Sequence, residues 1–305
     1  MSPRLESFCA QKARLANAPL VGTAPRVDIW LMLEYPRPWG DKALAESHIP
    51  EPVKQFLSEQ AAAIPNPRIL LIKHRSRDDL SGLIFSVVRS QEVNPVCYTF
   101  ELPRYEALLD LDLSAVVDAS PAYDSHIAPD PLYLVCTNGR RDACCASRGL
   151  HIYETLSEQV GPPVWQTTHV GGHRFAGNLV CLPHGVYYGR VDDFDPVGLI
   201  REYEQRHLFT SALRGRCCYE PVVQAAEHFL HTQSTGLEVD WYRLDRVEET
   251  ASNQWVICFA ERDGALHTLT LTVELSDEEV QTSCGSDKKK SVTRYHMEEY
   301  RLDDL

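Results

Sequence analysis

Apolar residues run almost unbroken through 27–34, which predicts a strand buried on both faces. Pro36, Pro38 and Gly40 then break any regular element, so 35–40 reads as a loop. Val53, Phe56, Leu57, Ala61 and Ile64 recur at helical spacing behind Pro50 and Pro52 and predict a helix. Short apolar runs at 69–72, 83–88 and 96–100 predict three more strands. The order strand, helix, strand, strand, strand suits a small α/β layer with a mixed sheet.

Proline-rich punctuation over 120–131 marks a boundary, and 132–135 then reads as a strand running straight into Cys136. Ile152, Leu156 and Val160 repeat every four residues and predict a helix over 146–160, stopped by Gly161, Pro162 and Pro163. A strand is expected at 164–168, and a hairpin at 179–191 around Pro183, His184 and Gly185. Asp195 and Pro196 start a helix as N-cap and first helical residue, and Pro221, Val222, Ala225, Ala226, Phe229 and Leu230 outline another. The period then changes. Leu269, Leu271, Val273 and Leu275 alternate with Thr270, Thr272 and Glu274, and Asp263-Gly264 predicts a turn behind a strand at 255–259. The chain divides accordingly into a 1–125 α/β unit, a second α/β unit at 126–235 and a β-rich extension at 236–305.

A length of 305 residues allows about two domains, and 44% apolar with 24% charged residues is an ordinary globular composition that excludes disorder as the main theme. Thirty Lys and Arg against 43 Asp and Glu give a net charge of −13, which argues against nucleic acid and anionic membrane surfaces as partners. Lys288, Lys289 and Lys290 lie between acidic stretches and read as a solvated loop. Ten cysteines are too few for a disulfide-stapled secreted protein. The start of the chain carries Arg4 and Glu6 without a signal-like apolar core, and no apolar run is long enough to span a bilayer. These features predict a cytoplasmic protein with reduced thiols and no membrane insertion.

The chemistry concentrates in Cys136 and Cys145, followed 24 positions later by His169 and His173. Thiolates and imidazoles suit zinc or an iron-sulfur cluster, whereas calcium and magnesium prefer oxygen. Val170 stands where a zinc protease would need its glutamate. Gly171 and Gly172 disfavour a helix and predict a loop whose backbone approaches something bulky, as an inorganic cluster is. Eight residues between Cys136 and Cys145 do not make a zinc knuckle, and Gly139, Arg140 and Arg141 in that interval offer donors to sulfide. Either Cys144 or Cys145 can be the second thiolate; Cys145 is read as the ligand, with Cys144 as its alternative. Cys97, Cys181 and Cys258 read as core, Cys217 and Cys218 as packing, and His184 as a turn residue. His151, His207, His228 and His231 read as surface or partly packed.

These residues occur together with Gly22-Thr23-Ala24-Pro25, Leu33-Glu34-Tyr35-Pro36, Pro38-Trp39-Gly40, and a stretch from Trp165-Gln166-Thr167-Thr168 through the histidines to Arg174-Phe175-Ala176. In that combination the chain resembles the sucrase/ferredoxin-like family; the turn from Gly185 to Arg190 and Ser283-Cys284-Gly285 fit as well. The resemblance implies an α/β fold class: a thioredoxin-like ferredoxin domain preceded by a second, thioredoxin-like α/β unit without ligands, and followed by a C-terminal antiparallel β extension. It implies a 2Fe-2S cluster held by Cys136, Cys145, His169 and His173, with Gly139, Arg140, Arg141, Gly171, Gly172 and Arg174 around it. Replacing two thiolates by neutral imidazoles makes such a cluster easier to reduce, and an imidazole in touch with solvent couples reduction to protonation. The expected role is a one-electron carrier rather than a stand-alone enzyme. Its partners are then redox proteins, a reductase or an electron acceptor, because no nucleotide-binding fingerprint is present. Sucrose hydrolysis needs two positioned carboxylates, and capping accounts for Asp192, Asp193 and Asp195. A zinc-stabilised binding module and a thiol-disulfide oxidoreductase working through Cys136, Cys144 or Cys145 stand as alternatives.

Overall fold

Two strand-helix-strand units, one starting at Ile29 and one at Leu132, set the architecture. They are seen in a computed structural model that describes residues 8–75, 77, 82–262 and 264–303. In the first, β1 (Ile29–Glu34) and β2 (Pro67–Lys73) are parallel and joined by the helix Glu51–Ala63. β3 (Leu83–Arg89) lies antiparallel to β1, and β4 (Val96–Leu102) antiparallel to β3. The second unit repeats this. β5 (Leu132–Cys136) and β6 (Val164–Thr167) are parallel across the helix Ala143–Gln159, with β7 (Leu179–Leu182) antiparallel to β5 and β8 (Val186–Tyr188) antiparallel to β7. A helix follows the fourth strand in each case, Leu113–Val117 and Pro196–Glu204. Both halves thus have the same strand order, second-first-third-fourth.

The halves join where β2 meets β6 antiparallel, Ile72 opposite Thr167 and Lys73 opposite Gln166. β9 (Leu213–Arg216) adds to β8 and completes a nine-stranded sheet. Every residue of β1 is buried, because both faces of the sheet are covered. Trp30, Met32, Leu70 and Val180 share one layer, and Leu31, Leu33, Val53 and Phe85 the other.

The helix Ala143–Gln159 starts three residues before the position its periodicity predicts. Asp142 caps it, its carboxylate accepting from the Cys144 amide at 2.9 Å. Its first turns bury cysteines and Gly149 instead of large aliphatic residues, so the repeat becomes visible only from Ile152 onward. A Cβ at Gly149 would stand 2.1 Å from the Cys136 carbonyl oxygen, and this missing methyl lets the helix lie directly on the end of β5.

The helix Pro221–Gln233 packs Ala226 and Leu230 against Ile257, Phe259, Leu269 and Leu271 of a separate antiparallel sheet. That sheet runs β10 (Tyr242–Ala251), β11 (Gln254–Glu261), β12 (Leu266–Ser283) and β13 (Ser286–Asp303) in order. The last two strands have 18 residues each, and beyond Thr272, where the pairing with β11 stops, they run on as an arm about 36 Å long at ~3.3 Å per residue. Its tip carries Cys284 back to the start of the helix Ala143–Gln159. Lys288, Lys289 and Lys290 are not in a loop: they lie on β13, exposed, with Lys289 opposite Gln281 and Lys290 opposite Val280. The arm runs on as a two-stranded ribbon, and charged residues are accommodated on its solvent side. His231 is buried rather than superficial, on the packed face of its helix, with Nδ1 2.8 Å from the Gly236 carbonyl oxygen. Arg4, Glu6 and Asp263 lie outside the described residues. Among the described residues no helix is long and apolar enough to cross a membrane.

Two outcomes follow from this packing. Gly149→Ala forces helix and strand apart and should cost about 1–3 kcal/mol in denaturant unfolding; unchanged stability would contradict the close contact. Burial pushes both His184 and His231 down to about 4, well below the ordinary histidine value of 6.5. The unfolded chain therefore takes up these protons first as pH falls. Stability is fully present above about 6.5 and is lost toward 4, by at most about 1.4 kcal/mol per pH unit for each histidine. Denaturant midpoints of the metal-free chain should fall from pH 7 to pH 5, less steeply in His231→Gln; equal midpoints would contradict this.

Candidate metal centre

Cys136 is the last residue of β5, Cys145 lies in the first turn of the following helix, and both are 1% exposed. Cys136 stands opposite Thr167 in the parallel ladder, so the chain leaving β6 brings His169 back beside the sulfurs. The ligand atoms of Cys136, Cys145 and His169 all lie within 4.8 Å of one another. His173 stacks on His169 with ring centroids 4.0 Å apart and planes 16° from parallel. The Nδ1 atoms of both rings are buried without a hydrogen-bond partner, a cost of about 1–3 kcal/mol each that a metal centre would offset. Two sulfurs and an imidazole are donors that iron-sulfur clusters and zinc accept, and His173 stands beside this group, outside the set of atoms within 4.8 Å of one another.

The electrostatics agree with a ligand set. Cys136 is held well below the ordinary thiol range, first by the hydrogen bond from Cys145 and then, against the opposing effect of burial, by His169 and the Val170 amide. Cys145 is pushed up correspondingly, first by its hydrogen bond to Cys136 and then by burial. Burial, and then the neighbouring His169, push His173 down to about 4, which keeps its imidazole neutral.

The histidine loop is held by the first half of the sheet as well as the second. Arg68 Nη1 donates to the Val170 carbonyl at 2.7 Å, the Tyr187 hydroxyl to the same oxygen at 3.1 Å, and the Leu71 amide to Thr168 Oγ1 at 3.1 Å. Gly171 and Gly172 have φ of 101° and 76°, conformations that favour glycine. The space a side chain would need at each is taken by other residues of the chain. A Cβ at Gly171 would meet Pro25 at 2.8 Å, and one at Gly172 would meet Arg214 Nη2 at 2.4 Å. Arg214 is 1% exposed and donates to the carbonyls of Gly171 at 3.0 Å and Thr23 at 2.5 Å, and to Asn178 Oδ1 at 2.8 Å. No local signal in the sequence marks it, because its partners are brought from distant segments.

Of the other residues singled out, Arg140 is exposed and Arg141 pairs with Asp41 at 3.0 Å. Arg174 lies over the Phe175 ring at 4.7 Å, and Gly139 allows close packing on Ala146. His169 is half-buried and lines a cleft of about 170 Å³ with Asp41, Leu44, Asn138 and Arg141. A larger cavity of about 570 Å³ lies away from these ligands, against Trp165 and His126.

Cys144 turns away from this group, and its Sγ lies 3.2 Å from that of Cys284. The structure therefore brings Cys145, not Cys144, to Cys136 and His169. A thiol oxidoreductase needs an accessible thiolate, whereas Cys136, Cys144 and Cys145 are all buried. Asp192 is engaged by Arg14 and Arg148, and Asp195 caps its helix on the Val197 amide at 3.0 Å, so neither is free to serve as a glycosidase carboxylate.

No solved structure matches the chain. Over 97 residues it is 33% identical to altered inheritance of mitochondria protein 32 of Meyerozyma guilliermondii, a stretch covering 28% of this chain and 34% of that protein. The match thus spans about a third of that relative's length. The family described as sucrase/ferredoxin-like matches residues 20–215, an interval that contains both βαβ units and all of Cys136, Cys145, His169 and His173, and the chain belongs to that family.

Proposed function

We propose that the chain is a one-electron transfer protein holding a 2Fe-2S cluster on Cys136, Cys145, His169 and His173. The convergence of two buried sulfurs and His169 within 4.8 Å, with His173 stacked on His169, carries this reading. When bound, the cluster supplies reversible one-electron chemistry. Cys136 and Cys145 bring two negative charges and the two histidines none, so the potential lies above that of an all-cysteine site. His169, half-buried beside its cleft, leaves one ring nitrogen to exchange a proton with solvent as the electron count changes. Redox partners, a reductase or an acceptor, dock over that cleft, where Arg141 and Asp41 meet at the rim. All ten cysteines are free, which suits a reducing compartment. Cytoplasmic residence meets that condition; the printed name of the yeast relative concerns inheritance of mitochondria and makes the mitochondrion the second candidate.

Anaerobically purified protein should be brown, with about two iron and two sulfide per chain. His169→Cys and His173→Cys should keep the colour at a lower potential, and His169→Ala should lose it. Colourless protein without iron would refute the proposal. In redox titrations the potential should fall as pH rises, by up to about 59 mV per unit for one proton per electron. A potential flat from acid to alkaline pH would remove the proton-exchanging role of the imidazoles.

A further inference from the structure

Three cysteines from the beginning, middle and end of the chain meet beside the first site. The sulfurs of Cys9 and Cys144 are 3.5 Å apart, those of Cys144 and Cys284 3.2 Å, and those of Cys9 and Cys284 3.7 Å. Both carboxylate oxygens of Asp142 lie 3.9 Å from the Cys9 sulfur, and the ligand atoms of all four residues fall within 4.8 Å of one another. Cys9 and Cys144 are fully buried and Cys284 is half-buried.

These spacings discriminate between two chemistries. A disulfide would bring one pair to about 2.0 Å and leave the third thiol out. Tetrahedral zinc with bonds of about 2.3 Å spaces its sulfurs roughly 3.8 Å apart, for all three pairs alike. The observed triangle is close to the second case. Independent support comes from the donors around it. The Cys9 amide points at the Cys284 sulfur and the Ala10 amide at the Cys144 sulfur, each at 3.4 Å, as amides do toward metal-bound thiolates.

We propose that Cys9, Cys144, Cys284 and Asp142 form a second metal site that takes zinc, separate from the group at Cys136. Zinc displaces the thiol protons to solvent and is held by three thiolates and one carboxylate oxygen. It clamps the helix Cys9–Leu15 and the tip of the β12–β13 arm onto the first turn of the helix Ala143–Gln159. The clamp has no redox duty and does not depend on the electron-transfer reading.

The test is metal analysis of the full-length chain, purified with its thiols reduced and supplied with zinc chloride. One tightly bound zinc per chain is expected. Cys284→Ser and Cys9→Ser should each lower it at least tenfold while iron and colour remain, and Cys136→Ser should remove iron and colour while zinc remains. Should the serine variants fail to fold, zinc K-edge absorption of the unmodified chain decides, with a shell of three sulfurs and one oxygen expected. No bound zinc, or a shell of two sulfurs and two nitrogens, would overturn the proposal.

Discussion

The carboxylate of Asp142 is the joint between the helix, the arm and the histidine loop. Oδ1 accepts from the Cys144 amide, and Oδ2 from the Ser283 hydroxyl and the Cys284 amide, all at 2.9 Å. Oδ2 also lies 3.9 Å from His173 Nδ1. Burial alone would raise this carboxyl, but the amides of Cys284 and Cys144 more than offset it and hold the group below its ordinary range. An ionised carboxylate at the helix N-terminus fixes where the first turn begins. Successive residues of a helix point about 100° apart. Once the turn begins at Ala143, Cys145 faces Cys136 and His169, and Cys144 faces Cys9 and Cys284.

The two halves of the large sheet make a natural comparison. The ladder of the first ends with Glu34 opposite Ile72, and that of the second with Cys136 opposite Thr167. Where the second half has a buried thiol, the first has a buried carboxylate already satisfied by the Ile84 amide at 2.9 Å and Arg77 Nε at 3.1 Å. Glu34 already has a cation beside it in Arg77, whereas the Nδ1 atoms of His169 and His173 have no hydrogen-bond partner. The first half acts on the site from outside: β2 supplies Arg68 and Leu71, which hold the loop carrying His169.

Much of this was legible in the chain itself. Buried parallel strands announce themselves as unbroken apolar runs, and β1 and β5 lie where those runs are. Cys136, Cys145, His169 and His173 are two short local motifs, and local spacing survives folding. The sequence reads Cys145 as the ligand, and the structure brings that residue to Cys136, but spacing alone left Cys144 open, because the choice depends on the phase of a helix whose first turn lacks large apolar residues. The buried role of Arg214 was hidden for another reason: Thr23 lies 191 residues from it and Asn178 lies 36, and no pattern within a window reports such pairs. Cys9 and Cys284 come together across 275 residues through a hairpin arm whose length the alternation showed only in part.

Electron transfer by this chain rests on the identity of the ligands beside Cys136. Pulsed electron paramagnetic resonance of the reduced chain carrying nitrogen-15 histidine reads them directly. Couplings from two histidine nitrogens, each lost on replacing His169 or His173 by cysteine, are the predicted result. A reduced centre with no nitrogen coupling would contradict the account.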